Sequence, residues 1–294
     1  MRSEPIHPAE LGGTLFVPAL HPELAAILDG SKYPRLRSAV IDLEDGTDAG
    51  EREAATMRLA SLLPSLRPSA VLRFIRPDTP VALKRMLAME GIGNIDGFVL
   101  PKFGLDNSDR WLTLLYNKPF AFMPSVEGID LFSQEKLAEL AEGLVPFRER
   151  IPTVRFGLED MLRQLGIVRD CETPLYDLVA PAHVIASVIT VFKPLGFNVS
   201  GGVYKCYRDT EGLRAELEAD LRQGLLGKTI IHPAQIAVVE EAYRVTREEQ
   251  AQADKIVHAS SNVSAVHGIM LEKPTQLPWA RTILRRAAVY GVKP

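Results

Sequence analysis

The stretch Phe120–Asp160, FAFMPSVEGIDLFSQEKLAELAEGLVPFRERIPTVRFGLED, reads as strand, helix, strand, with a carboxylate where each strand runs out. Ala121–Val126 is mostly apolar and stops at Glu127-Gly128; TVRFGLED alternates up to Gly157 and stops at Glu159-Asp160. Between them Leu137, Leu140, Ala141 and Leu144 recur at helical spacing and form one apolar stripe for packing on a sheet. A strand–helix–strand unit of this length has parallel strands. Parallel neighbours lie roughly 5 Å apart, or twice that across one intervening strand. Glu127 and Asp160 are therefore expected on one rim, close enough to share a divalent cation. A hard cation such as Mg²⁺ takes oxygen ligands, often only one or two carboxylates, with water and substrate in the other positions. The same acids also suit helix N-termini, where carboxylates cap exposed N–H groups, and spacing alone leaves both readings open.

Outward from this unit the alternation repeats. TLFVPAL (Thr14–Leu20), SAVIDLEDG (Ser38–Gly46), AVLRFIRP (Ala70–Pro77) and GFVLPK (Gly97–Lys102) precede it as short apolar runs. NVSGGV (Asn198–Val203) and GKTIIHP (Gly227–Pro233) follow it. Helical spacing separates them, as in Leu24, Ile27 and Leu28, in Ala55, Leu59, Leu62 and Leu66, in Leu83, Met86 and Leu87, and in Leu213, Leu217, Leu221 and Leu225. DRWLTLLY and Pro181–Phe192 are expected helices too. About eight strands of this buried, unalternating kind predict an α/β protein, a closed (β/α)₈ barrel of the TIM type over residues 1–233. An open doubly wound sheet is the alternative, because two glycines thin NVSGGV. No GxGxxG or GxxxxGK[ST] follows a strand, so nucleotide binding lacks its usual signature. Residues 234–294 are expected as a C-terminal helical extension suited to oligomer contacts: AQIAVVEEAYRV, TREEQAQADKIVHAS, an irregular NVSAVHGIMLEKPTQLP, and an amphipathic helix from Trp279.

The totals bound the partners. The 294 residues are 46% hydrophobic and 24% charged, ordinary for a globular protein. Thirty-four basic against 37 acidic side chains leave a net charge of −3 and no basic block to track phosphates, which argues against nucleic acid. MRSEPIHPAELGG lacks the apolar core of a signal peptide. Leu178–Phe192, the longest greasy run, is broken by Pro181 and His183 and is too short to span a bilayer. No membrane partner is expected, and the location expected is cytoplasmic. Cys171 and Cys206 fit no CxxC pattern and are expected to be idle thiols in a reducing compartment.

In a barrel the active site lies at the C-terminal ends of the strands. Asp42, Glu44, Asp45, Arg73, Lys102, Glu127, Asp160 and His232 fall there in this reading. Acids with two cations inside their ring point to a bound metal ion, with Arg73 available to an anionic substrate through its planar fork. The plainer readings are a salt bridge from Arg73 to the DLED cluster, a structural ion pair for Lys102, a loop or cap role for His232, and a solvated face for Lys205 and Arg208.

LFVPAL, VIDLEDG with EREAA behind it, GFVLPK, PSVEG, RFGLED and IIHPAQI stand here in one order and at one set of spacings. The ordered set resembles the citrate lyase β-subunit-like proteins, relatives of malyl-CoA lyases and of metal-dependent hydroxy-oxo-acid aldolases. The likeness runs from Thr14 into the last helix, through TREEQAQADKIV, HGIMLEKP and WARTIL. It implies a Mg²⁺-dependent barrel, a homotrimer or homohexamer, that makes or breaks a C–C bond next to a carbonyl in a small hydroxy or oxo acid, free or as a CoA thioester. By the resemblance Glu127 and Asp160 are the metal ligands, Arg73 binds substrate and stabilises the enolate, and Glu44 and Asp45 surround the substrate; Lys102, from its place on the rim, is a further candidate for catalysis. Glu272, in Met270-Leu271-Glu272, matches the aspartate of a Met-Ile-Asp triplet that a neighbouring subunit lends for proton transfer. The chain departs from the pattern at Arg76, where an asparagine is usual, at Gly128 in place of threonine, and at Glu272, longer than aspartate by one methylene. Thioester hydrolysis at the same metal and a non-catalytic metabolite-binding subunit are the alternatives.

Overall fold

Seven parallel strands stand side by side in the order β6-β5-β4-β3-β2-β1-β7. They are β1 (Gly13–Pro18), β2 (Ser38–Asp42), β3 (Leu72–Arg76), β4 (Gly97–Phe103), β5 (Ala121–Val126), β6 (Arg155–Phe156) and β7 (Lys228–Ile230). Residues 198–201 close the ring between the two ends. Val199 bridges Val154 beside β6, and Gly201 bridges Lys228 in β7, both parallel. Backbone hydrogen bonds from Val154 to Asn198 (2.8 Å), from Ser200 to Val154 (3.1 Å) and from Gly201 to Gly227 (2.9 Å) hold that stave. The chain is thus the expected (β/α)₈ barrel, with the stave that the glycines thin reduced to isolated bridges. The structure, a computed structural model, describes residues 4–266 and 269–294; His267 and Gly268 of the HGIMLEKP motif and the first three residues lie outside the described residues.

Helices follow the staves: α1 (Leu24–Leu28), α2 (Arg52–Leu62), α3 (Pro80–Met86), α4 (Ser108–Leu115), α5 (Gln134–Leu144), α6 (Leu158–Gln164), α7 (Val179–Phe192) and α8 (Thr210–Arg222). Several starts are written in the sequence. Thr79 accepts the Ala82 N–H (3.2 Å) ahead of Pro80, Ser133 accepts that of Lys136 (3.3 Å), and Asp209 that of Gly212 (2.9 Å). In α5 the buried residues are Leu137, Leu140, Ala141 and Leu144, the stripe read from spacing.

The lower barrel interior is apolar. Val40, Leu72, Phe74, Val99 and Met123 pack with Ile6 and Leu11 of the N-terminal segment, and Phe16 lies against them. Side chains alternate along a strand, so Leu72, Phe74 and Arg76 share the inward face of β3, with Arg76 at its C-terminal end.

The chain divides into two compact units, Met1–Val238 and Val239–Pro294. In the second, α10 (Arg247–His258) begins with a capping box between Thr246 and Glu249. Its core gathers Val245, Ala253, Ile256, Ala280 and Ile283. The piece expected to be irregular contains an antiparallel pair, β8 (Val263–Val266) with β9 (Ile269–Glu272). The last helix, α11, runs over Lys273–Tyr290 and so starts before Trp279; Pro274 fits its first turn, where N–H groups have no helical partner anyway. A ninth helix, Ala234–Ala242, precedes α10. No helix among the described residues is long and apolar enough to cross a membrane.

The two cysteines are a correction to the sequence reading. Cys171 and Cys206 form a disulfide with Cα atoms 5.8 Å apart. Their loops leave the C-terminal ends of two staves separated by α7, so the barrel brings together residues that stand 35 apart in sequence.

Candidate active site

The site is assembled at the C-terminal ends of the staves. Asp42, the last residue of β2, is buried and grips Arg76 at the end of β3 in a two-pronged pair. Arg76 Nε donates to Oδ1 and Nη2 to Oδ2, each at 2.7 Å. The same carboxylate accepts the N–H groups of Glu44 and Gly46, both at 3.0 Å. Arg76 Nη1 lies 3.1 Å from Glu44 Oε2 and 3.4 Å from Asp45 Oδ2. The DLED turn is therefore a cage for one guanidinium. Glu44 is spent inside it, paired with Arg76 and the Lys102 ammonium, whereas Asp45 is exposed and reaches the cavity wall.

Lys102 sits where the β4–β5 register shifts, with a left-handed φ of 48°, unusual for a residue with a side chain. Such a backbone persists only where its surroundings hold it. Its N–H donates to Glu127 Oε2 (3.1 Å), its carbonyl accepts from Asn107 Nδ2 (2.8 Å), and its ammonium pairs with Glu44. Those pairings keep the ammonium above its ordinary pKa although burial works the other way.

Glu127 and Asp160 come together as the strand ends implied. Val126 pairs with Phe156 in the β5–β6 ladder, so the acids leave adjacent staves. Glu127 is buried, and burial pushes its carboxyl up to about 7, with the nearby Asp160 and Glu44 charges raising it further against Ser125 and Arg76. Asp160 lies in the first turn of α6, so it meets the helix-terminus expectation while facing the same space as Glu127. Its Oδ1 accepts Arg163 Nη2 at 2.7 Å, and Gln164 Nε2 ties α6 to the Glu127 carbonyl at 2.7 Å.

Both acids line two adjoining cavities. One, of about 510 Å³, is walled by Phe16, Asp42, Arg76, Arg155, Lys205 and Thr229 besides the acids. The other, of about 540 Å³, is walled by Lys102, Asn107, Asp130, Lys136 and Arg163. Among the described residues no group of three or more His, Cys, Asp or Glu side chains is gathered to hold a metal ion. A closed structural metal site is not what these side chains build. The pair of hard oxygen donors, one buried and destabilised as an anion, matches an open site for a cation that keeps water and substrate ligands.

Arg73 is not at this site. Its guanidinium is buried under the barrel wall, where it donates to the carbonyls of Leu28 (3.0 Å), Asn94 (3.3 Å) and Arg67 (2.6 Å). The β3 arginine that lines the cavity is Arg76, three residues on and therefore on the opposite strand face. Arg155 on β6 is a second buried guanidinium that the sequence reading passed over. Its Nη1 donates to Thr229 Oγ1 at 2.7 Å. The Phe16 ring receives both, Arg76 at 5.1 Å and Arg155 at 5.4 Å, just above the apolar interior. Lys205 also walls the cavity, while His232 is a cap residue as read, accepting the Ala234 N–H (3.2 Å) and stacking on Tyr207. Glu272 belongs to the second unit, where it ends β9 and precedes α11.

A family described as C–C bond lyase of the TIM-barrel fold matches residues 5–292. A citrate lyase subunit beta-like protein from Mycobacterium tuberculosis is 26% identical over 284 residues, 94% of this chain and 95% of that one. Mitochondrial citramalyl-CoA lyase from Mus musculus is 25% identical over 250 residues, 78% of this chain and 71% of that one. A solved structure of the M. tuberculosis protein CitE in complex with magnesium, acetoacetate and coenzyme A superposes with a TM-score of 0.68 at 27% identity, covering 94% of this chain and 98% of that chain.

Proposed function

Because the chain belongs to the family of C–C bond lyases of the TIM-barrel fold, we propose that it is a Mg²⁺-dependent lyase or aldolase acting on a small hydroxy or oxo acid, free or as its CoA thioester. One observation carries the reading: Glu127 and Asp160, from neighbouring staves, wall the same cavity as the cations Arg76, Arg155 and Lys205. The Mg²⁺, acetoacetate and coenzyme A held by the M. tuberculosis structure support it.

Glu127 and Asp160 would hold the cation, which when bound supplies Lewis-acid polarisation of a substrate oxygen. The Lys102 N–H fixes one oxygen of Glu127, and Asp42 fixes the plane of Arg76. Arg76 and Arg155 place positive charge at the cavity floor before the reaction begins, where the enolate charge of a breaking C–C bond develops. The ammonium of Lys102, held protonated on Glu44, contributes charge and is no base. Glu272 is the proposed proton carrier, brought by a neighbouring protomer of a homotrimer or homohexamer.

Purified protein incubated with Mg²⁺ and citramalyl-CoA, malyl-CoA or a 4-hydroxy-2-oxo acid tests the reading by product analysis. Carbon–carbon cleavage that EDTA abolishes is expected. Hydrolysis of the thioester with the carbon skeleton intact, or turnover of none of the three, sinks it.

A further inference from the structure

Lys205 walls the cavity shared by Glu127 and Asp160, with its Nζ 3.9 Å from Glu159 Oε2, and the next residue is Cys206. No helix or strand covers residues 202–206, so no ladder fixes this backbone. The disulfide joins it to Cys171, whose own loop is firmly anchored. Asp170 Oδ1 accepts the N–H groups of Glu172 (3.0 Å) and Thr173 (2.7 Å). Arg169 donates to the Thr173 carbonyl (2.9 Å) and to Glu216 Oε2 (2.5 Å). Glu216 and Asp220 on α8 each take a 2.7 Å bond from Lys228, which is fully buried in β7. Lys205 is thus tied through one covalent bond to a loop pinned on a buried ion cluster.

We propose that the Cys171–Cys206 disulfide is a positioning bond that holds Lys205 at the cavity mouth to capture the anionic end of the substrate, and that its reduction weakens that capture. The ligand half of this rests on the lyase reading above; the positioning half does not. The step balances as thiol–disulfide exchange. A dithiol reductant gives two electrons and two protons, the S–S bond breaks, two S–H bonds form, and the reductant closes its own disulfide. Other ties keep the change local. Gln235 donates to the Tyr204 carbonyl (2.8 Å), the Tyr204 hydroxyl donates to Asp209 (2.6 Å), and Tyr207 stacks on His232 at 4.3 Å. Reduction therefore loosens the Lys205-Cys206 step between Tyr204 and Tyr207 without opening the barrel, and the effect falls on substrate affinity.

The full-length protein, as purified and after dithiothreitol, is compared in three measurements: thiol titration under denaturing conditions, amide hydrogen exchange of residues 203–208, and calorimetric titration with oxaloacetate in the presence of Mg²⁺. The untreated protein is expected to show no titratable thiol and the reduced protein two. On reduction, exchange in that segment rises roughly tenfold, and oxaloacetate affinity falls about two- to fivefold, the range of a half-exposed ion pair. Cys171→Ser with Cys206→Ser reproduces both changes without reductant. Lys205→Met loses the same affinity, and reduction then takes away no more, since the two changes act through one contact. Thiols that titrate in the untreated protein, exchange that ignores reduction, or a Lys205→Met variant that keeps the full redox effect would each overturn the proposal. Oxaloacetate that binds neither redox form overturns the capture half along with the lyase reading, and the exchange comparison decides the positioning half by itself.

Discussion

Glu127 and Gly157 face each other one residue beyond the Val126–Phe156 pair of the β5–β6 ladder, and a Cβ at Gly157 would collide with Glu127 Cγ and lie 3.1 Å from its Cδ. The empty position is what lets the Glu127 side chain lie across the end of β6 toward Asp160. Gly157→Ala should therefore displace the carboxylate without touching Asp160. Crowding of one methyl costs about 1–3 kcal/mol of stability, but Mg²⁺ affinity should fall about tenfold or more, as expected when a ligand geometry is disturbed. Calorimetry with Mg²⁺ and a thermal melt separate the two effects. Unchanged Mg²⁺ affinity would remove Glu127 from the ligand set.

The raised pKa of Glu127, about 7 against an ordinary 4.5, has a definite sign. The folded protein binds this proton more tightly than the unfolded chain does. Stability from this group is thus fully present below about pH 4.5, falls as pH rises through that window, and levels off above about 7. Glu127→Gln should be more stable than the parent at about pH 8 without Mg²⁺, by up to about 3 kcal/mol, and no more stable at about pH 4. Urea melts at the two pH values check it. Mg²⁺ competes with the same proton, so its affinity should drop about tenfold per pH unit below 7, with close to one proton released per ion at low pH.

What the sequence made legible was set by repetition and by strand ends. Eight apolar runs in alternation with helical spacing identify a barrel, and a glycine after each of two runs marks where Glu127 and Asp160 emerge. Arg73 failed on parity. In Leu72-Arg73-Phe74-Ile75-Arg76 the two arginines are three apart and cannot share a face of a strand with period two. Phe74 joins the interior core, so the inward arginine is Arg76, at the rim. Arg155 carried a weaker signal, a lone charge inside a buried strand, and only the cavity gives it meaning. Cys171 and Cys206 carried none, because their meeting depends on how two loops return over the barrel, and no short spacing records that.

The two β3 arginines should part company in experiment. Arg73→Met removes donors to three backbone carbonyls and should cost about 2–4 kcal/mol at the rate of charged hydrogen bonds. At a temperature where the variant stays folded, its kcat/KM should match the parent. Arg76→Lys keeps a positive charge but loses the two-pronged grip on Asp42. It should reduce kcat/KM on any accepted acid by about a hundredfold, the scale of one charge-stabilising donor. The reverse pattern, with Arg73 controlling turnover, would return the substrate-binding role to the position first expected.

Lys228 offers the sharpest stability test because its partners are as buried as it is. Its ammonium, with no exposed surface, meets Glu216 and Asp220 at 2.7 Å each, and Tyr176 donates to Asp220 at 2.5 Å. Burial pushes the Asp220 carboxyl up even with Lys228 beside it, so removing the lysine leaves Asp220 with only the Tyr176 hydroxyl, while Glu216 keeps Arg169. Lys228→Met should cost about 3–5 kcal/mol near neutral pH, the usual penalty for an uncompensated buried charge. The loss should shrink as pH falls toward the ordinary carboxylate range, because the stranded Asp220 can then take up a proton. Adding Asp220→Asn, with Glu216 left paired to Arg169, should restore most of the stability, since neutral replacement of a buried ion pair often costs nothing. If the single variant melts like the parent at every pH, the cluster is no anchor. The Cys171 loop would then have to be held by the disulfide and by its own Asp170 and Arg169 hydrogen bonds, and the melting behaviour of the reduced parent would show the share of the disulfide directly.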